Sequence, residues 1–205
     1  MKSKTVIAFT GGGTGGHFYP LLAVIRELKR IGGNSIEIRY LGIKHKLNHE
    51  LEALGIPVWT VASSKFRRYF SFLNIVDLFK FFWGIFQSLV KLYIIMPDLV
   101  FSKGGPGALP VVLATWFYRI PVYIHESDTI PGLTNRISSR FAKHVFLSFE
   151  SARNYFQKGK MSPSTDLTQP SPKTTTDTVG LPQTKLKISL VGNPIREEIL
   201  EFAGM

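Results

Sequence analysis

Residues 5–28, TVIAFTGGGTGGHFYPLLAVIREL, decide the fold. A β-rich run over 5–10 empties into a loop of five glycines and one threonine, and apolar residues at helical spacing follow over 21–28. The order is strand, glycine loop, helix. Glycine lets backbone amides approach an anion closely, and a helix start behind the loop adds unpaired amides and a positive dipole end. Such a site suits a diphosphate.

Gly11, Gly13 and Gly16 also satisfy the dinucleotide pattern G-x-G-x-x-G. An NAD site wants an acidic residue at the end of the second strand, whereas the run 36–41 carries Glu37 at its start and ends in Leu41-Gly42. A P-loop needs Lys and then Ser or Thr after its last glycine, and here His17 and Phe18 follow. Both nucleotide readings are disfavoured.

Outward from this loop, β-branched or aromatic runs recur at 36–41, 58–61, 99–101, 122–125, 145–148 and 188–191, mostly with helix-like stretches between them. Alternation of this kind predicts an α/β, Rossmann-like parallel sheet with helices on both faces and ligands at the carboxyl ends of its strands. Gly12, Gly104 and His125 fall at such ends. Residues 1–157 read as one domain, and 158–187, rich in Ser, Thr, Pro and Lys, as a flexible insertion or linker. Order is expected to resume over 188–205 with a last strand and a helix starting near Pro194.

The 205 residues include 25 Lys and Arg against 14 Asp and Glu, a net charge of +11, which favours anionic partners. With no cysteine, the chain has no disulfides and no thiol chemistry, in keeping with a reducing compartment. MKSKTVIAFT runs straight into a strand without the apolar length and cleavage site of a signal peptide, so a cytoplasmic protein is expected. The scattered histidines suggest no metal site, and no cofactor is expected.

Four blocks, GGGTGGHFYP at 11–20, SKGGPGALP at 102–110, HESDTIPGLTNR at 125–136 and VGNPIR at 191–196, resemble the MurG-like glycosyltransferases. The resemblance implies the N-terminal, acceptor-binding half of a GT-B enzyme, with the C-terminal donor domain absent. It also implies inverting transfer of N-acetylglucosamine from UDP-GlcNAc to undecaprenyl-diphospho-MurNAc-pentapeptide, lipid I, forming lipid II for peptidoglycan. By the same resemblance Thr14, Gly15 and Gly16 match donor-contacting positions, and Gly104 and Gly105 form a second phosphate loop. His125, Asp128, Asn193 and Arg196 belong to its substrate-contacting blocks. His17 and Glu126 are the two candidates for the base that takes the proton of the attacking hydroxyl, and the residues leave the choice open. Lys103 beside the second loop offers a point charge.

Two departures stand out. Asp128 occupies the place of an asparagine in the family's HEQN, so an amide donor is exchanged for a negative charge. Pro106 follows the two glycines where the family has an aromatic or similar residue, which stiffens the loop. Lys65, Arg67 and Arg68 interleave with Phe66, Tyr69, Phe70 and Phe72 ahead of a strongly apolar helical stretch over 73–95. This pattern suits peripheral binding to an anionic bilayer, each basic residue contributing roughly 1 kcal/mol, or else a core helix beside a solvated basic loop. The resemblance, whose acceptor is lipid-linked at the cytoplasmic face, implies the former, at the cytoplasmic side of the cell membrane. Single-stranded nucleic acid is the other ligand such a surface could take, but no pattern of a nucleic-acid module accompanies it. The alternatives to a truncated transferase are one subunit of a split enzyme whose donor domain is a separate chain, and a non-catalytic module that binds lipid diphosphate or membrane.

Overall fold

The computed structural model of the chain describes residues 4–63, 73–157 and 186–194. The basic and aromatic residues at 65–72, most of the insertion at 158–187, and Arg196 lie outside these.

Seven strands form one wholly parallel sheet: β1 (Thr5–Thr10), β2 (Ile36–Gly42), β3 (Val58–Thr60), β4 (Leu99–Ser102), β5 (Val122–Glu126), β6 (His144–Leu147) and β7 (Lys187–Leu190). Their order is β3-β2-β1-β4-β5-β6-β7. The chain winds one way from β1 to β3 and the other way from β4 to β7, so the switch point lies between β1 and β4. There the register pairs Thr10 with Ser102, which brings the loops after these strands to one level.

Alternation along β1 assigns the two faces of the sheet. Ile7 and Phe9 join Ile38 and Tyr40 of β2 under α1 (Gly15–Gly32), which buries Phe18, Leu21, Leu22 and Ile25, and α2 (Asn48–Ala53) adds Leu51. On the other face Ala8, Leu41 and Val100 meet Leu92 of α3 (Leu73–Ile95) and Val111 and Ala114 of α4 (Ala108–Phe117). Each aliphatic side chain so buried contributes roughly 1.5–3 kcal/mol. A third cluster joins Val122 and Ile124 of β5 to Val145 and Leu147 of β6, next to the short helices α5 (Leu133–Ser138) and α6 (Arg153–Gln157).

α1 differs from what its sequence predicts, whereas α3 spans the apolar stretch expected over 73–95. α1 begins at Gly15, a turn and a half before its apolar periodicity, because Thr14 takes an extended N-cap conformation and its carbonyl accepts from the amides of His17 and Phe18 at 3.2 and 3.1 Å. α3 is apolar on more than its core side. Gly84, Ser88 and Leu92 face inward, and a β-carbon on Gly84 would run into the Ala62 carbonyl. Phe79, Phe82, Trp83, Phe86, Val90 and Tyr93 form an exposed stripe at helical spacing on the outside.

Candidate active site

Two glycine loops meet at the switch point. Residues 11–14 leave β1 and residues 103–107 leave β4, and Lys103 N donates to Thr10 O at 2.9 Å. Gly105 has φ +91°, and a β-carbon there would collide with the Gly12 carbonyl. Only glycine allows both the left-handed turn and this backbone approach. Gly104, at φ +83°, lies against the Asn135 side-chain amide. From β2, Tyr40 donates its hydroxyl to Gly11 O at 2.5 Å, and burial pushes its phenol up beyond the usual tyrosine range. No side chain caps α1, so the Gly15 and Gly16 amides have no acceptor within the helix and lie at the mouth of the crevice. Thr14 and Gly16 are exposed and His17 is half-buried.

The end of β5 supplies the charges. Glu126 is buried, and both its oxygens accept hydrogen bonds, Oε1 from the Asp128 amide at 2.9 Å and Oε2 from Asn135 Nδ2 at 3.0 Å. Asp128 is exposed at the rim. Lys103 is 1% exposed and its Nζ has no hydrogen-bond partner among the described residues. Burial pushes its ammonium down to about 8 while Glu126 and Asp128 pull it back up, so it remains charged at neutral pH.

His17 faces this group. Its imidazole is held below the usual histidine range, first by burial and then by Lys103; Asp128, Glu126 and a hydrogen bond to the Lys103 backbone work the other way. It is therefore neutral at pH 7 and able to accept a proton. His125 has a different environment. Burial and Lys103 push it down to about 4, against a hydrogen bond to the Gly192 backbone. The neutral ring donates from Nε2 to Gly192 O at 3.0 Å, and Ser148 Oγ donates to the same oxygen at 3.2 Å. His125 thus ties β5 to the turn after β7, where Asn193 is exposed one residue further on.

The crevice therefore gathers Thr14, Gly15, Gly16, His17, Gly104, Gly105, His125, Glu126 and Asp128, with Asn193 on the adjoining turn. Tyr40, Asn135 and Ser148 were not singled out from sequence. Asn135 stands inside a block that was quoted, but no local spacing tells that its amide holds Glu126. Among the described residues no group of three or more His, Asp or Glu is placed to hold a metal ion.

This doubly wound sheet, with paired glycine loops at its switch point, has the architecture of the N-terminal half of a GT-B fold. The model of the glycosyltransferase family 28 N-terminal domain matches residues 7–147, and the chain belongs to that family. It is 40% identical over 195 residues, 95% of its length, to a Legionella pneumophila (strain Lens) UDP-N-acetylglucosamine–N-acetylmuramyl-(pentapeptide) pyrophosphoryl-undecaprenol N-acetylglucosamine transferase, of which it covers 46%. A Bacillus cereus protein of the same name, carrying the number 2, is 36% identical over 196 residues, 95% of this chain and 47% of that one. The chain thus spans about half the length of the curated relatives it matches. Among solved structures, Acinetobacter baumannii MurG superposes with a TM-score of 0.63 at 24% identity, over 95% of this chain and 46% of that one. A UDP-N-acetylglucosamine 2-epimerase from Rickettsia bellii gives 0.60 at 15% identity, over 98% and 48%. These two likenesses concern the fold alone.

Proposed function

We propose that this chain is the acceptor-binding half of an inverting, UDP-GlcNAc-dependent transferase that moves N-acetylglucosamine onto lipid I to form lipid II. The observation that carries this reading is the backbone contact between the two glycine loops over the uncapped start of α1, which fits the diphosphate of a lipid-linked acceptor. In an inverting displacement the acceptor hydroxyl bonds to the anomeric carbon as the bond to UDP breaks, and its proton passes to a base. His17, neutral and half-buried beside the loop, is that base in this reading. Glu126, already accepting two hydrogen bonds, orients Asp128 and Asn135. Thr14, Gly15 and Gly16 face the donor, which a C-terminal domain, on the same or a separate chain, holds from the other side. Asn193 lies on the approach to it, and Arg196, outside the described residues, belongs to the same sequence block.

The same reading seats the domain on the cytoplasmic face of an anionic membrane. Phe79, Phe82, Trp83 and Phe86 of α3 and Trp116 and Phe117 of α4 are each more than half exposed. By length and composition Val76–Ile95 suffices to cross a bilayer. Its inner face packs on α4 and the sheet, however, which favours a helix lying in the interface over one that spans.

The test is transfer of labelled GlcNAc from UDP-GlcNAc to a lipid I analogue, by this chain alone and with a MurG-type C-terminal domain added. Transfer only with the added domain is expected. Binding of the lipid analogue without transfer in either case would replace the transferase reading with the non-catalytic module.

A further inference from the structure

Among the described residues β7 lies at one edge of the sheet, pairs only with β6, and is exposed or half-exposed along its four residues. The turn that follows it is nevertheless tied by four hydrogen bonds. Val191 N and Gly192 N donate to Leu147 O at 2.9 and 3.3 Å, which extends the pairing of β7 with β6. Gly192 O accepts from His125 Nε2 at 3.0 Å and from Ser148 Oγ at 3.2 Å. These two bonds are of another kind. His125 reaches past β6 from β5, and Ser148 stands just after β6, so three strand ends meet on one carbonyl. Its two lone pairs are both taken by side-chain donors. Gly192 has φ +80°, and a β-carbon on it would meet no described atom within 4 Å. The glycine therefore serves the left-handed turn that brings this carbonyl to His125, and lack of room has no part in it.

The His125 ring is 2% exposed and its Nε2–H is engaged by Gly192. Its Nδ1 is buried as well. Neither nitrogen is left open to a ligand, although the resemblance implies a substrate contact at this residue. The same strand end also builds the crevice: Glu126, next in the chain, accepts from Asn135, and Gly104 of the second glycine loop lies against that amide.

We propose that His125 and Ser148 latch the Gly192 carbonyl, and that His125 is a positioning residue for Asn193 rather than a ligand of the substrate. The peptide unit joining Gly192 to Asn193 is planar, so a fixed carbonyl fixes the Asn193 amide and the direction in which its exposed side chain leaves the turn. The inference rests on the reading of Asn193 as a substrate-contacting residue.

The experiment measures amide hydrogen exchange and amide nitrogen shifts by NMR in the 205-residue chain and in three variants. His125→Leu and Ser148→Ala each remove one donor, and His125→Gln offers a side-chain amide in place of Nε2. Exchange at Val191 and Gly192 is expected to quicken about tenfold in the first two, with β1 unchanged, because each leaves a carbonyl short of a donor. The Asn193 nitrogen, bonded to that carbonyl, should shift in both. His125→Gln should restore much of the protection and of the shift. Unchanged exchange and shift in Ser148→Ala, or acceleration of β1 together with the turn, would overturn the proposal, and so would a His125→Gln chain no better than His125→Leu. Should His125→Leu fail to fold, Ser148→Ala, at a half-buried position, decides the matter. Binding of a lipid I analogue by the unsubstituted chain is measured alongside. Its failure would remove the acceptor reading and leave the latch to the exchange data, which need no ligand, whereas binding with an unmoved turn would remove the latch alone.

Discussion

The switch point and the outer face of α3 and α4 violate the ordinary burial pattern in opposite directions. At the switch point Lys103 is 1% exposed, and on the outer face Phe79 is 72% exposed. A cation sits where apolar side chains belong, and aromatic rings stand where water is. The two departures differ in how the fold holds them. Around Lys103 every element is tied to another: Tyr40 to Gly11, Asn135 to Glu126, His125 to Gly192. The aromatic stripe is held by the helix that carries it and little else. Changes at the first region should therefore cost stability, and changes at the second should cost only binding.

Gly105→Ala should break the comparison hardest. The new β-carbon would enter the Gly12 carbonyl while the residue is still required to hold φ +91°. The expected loss is on the order of 3 to 4 kcal/mol, near the top of the range for one substitution, read as a lower urea midpoint with an unchanged slope. Binding of a diphosphate ligand should disappear with it. A loss of under about 1 kcal/mol would mean that the two loops do not touch in solution.

His125 should make the same region sensitive to acid. Its folded value, about 4, lies below its ordinary value of 6.5. The unfolded chain therefore binds the proton first, and stability is full above pH 6.5 and falls as pH drops toward 4. The difference corresponds to on the order of 3 kcal/mol across that window. Urea midpoints between pH 7 and pH 4 check it, with His125→Gln as reference, since its profile should be flatter. Parallel profiles would show that the His125 ring is not buried as a neutral donor.

A smaller effect is expected at Tyr40→Phe. The hydroxyl is the partner of a buried carbonyl, Gly11 O. Its loss should cost about 1 to 3 kcal/mol, with α1 and the sheet otherwise unchanged. A neutral result would mean that water replaces the hydroxyl and that the loop is wetter than its burial implies.

These sites show which parts of the molecule were legible in sequence. The strands were readable because β-branched and aromatic runs alternate with helix-like stretches, and all seven recur within a residue or two of the predicted bounds. The glycine loop was readable because few conformations need so many glycines. The start of α1 was not, since Gly15 and Gly16 carry no helical propensity and the Thr14 carbonyl sets the boundary. The approach of Gly105 to Gly12 was not either, being a contact between loops far apart in sequence. Lys103 reads as a surface residue in any local window. Its burial follows from the register that places β4 beside β1, a property of the sheet and of no single segment. The same holds for Tyr40 and Asn135, whose polar atoms find partners only across strands.

The smallest effect on stability, and the largest on location, is expected from the double variant Trp83→Ser/Phe86→Ser. These rings stack on each other with centroids 5.4 Å apart and are 56% and 54% exposed. Removing both costs the fold no more than about 1 kcal/mol, the worth of an exposed aromatic pair. If the stripe enters a bilayer, each ring lost there removes roughly 1.5 to 3 kcal/mol of apolar transfer. Affinity for vesicles containing anionic lipid should then fall at least about tenfold while the urea midpoint hardly moves. Co-sedimentation with anionic and with neutral vesicles measures it, and the +11 charge predicts that the unsubstituted chain prefers the anionic ones. Unchanged vesicle binding with unchanged stability would assign the stripe to a protein surface, the donor domain included. A large loss of stability would show that the stripe is fold after all, and the contrast with the switch point would dissolve.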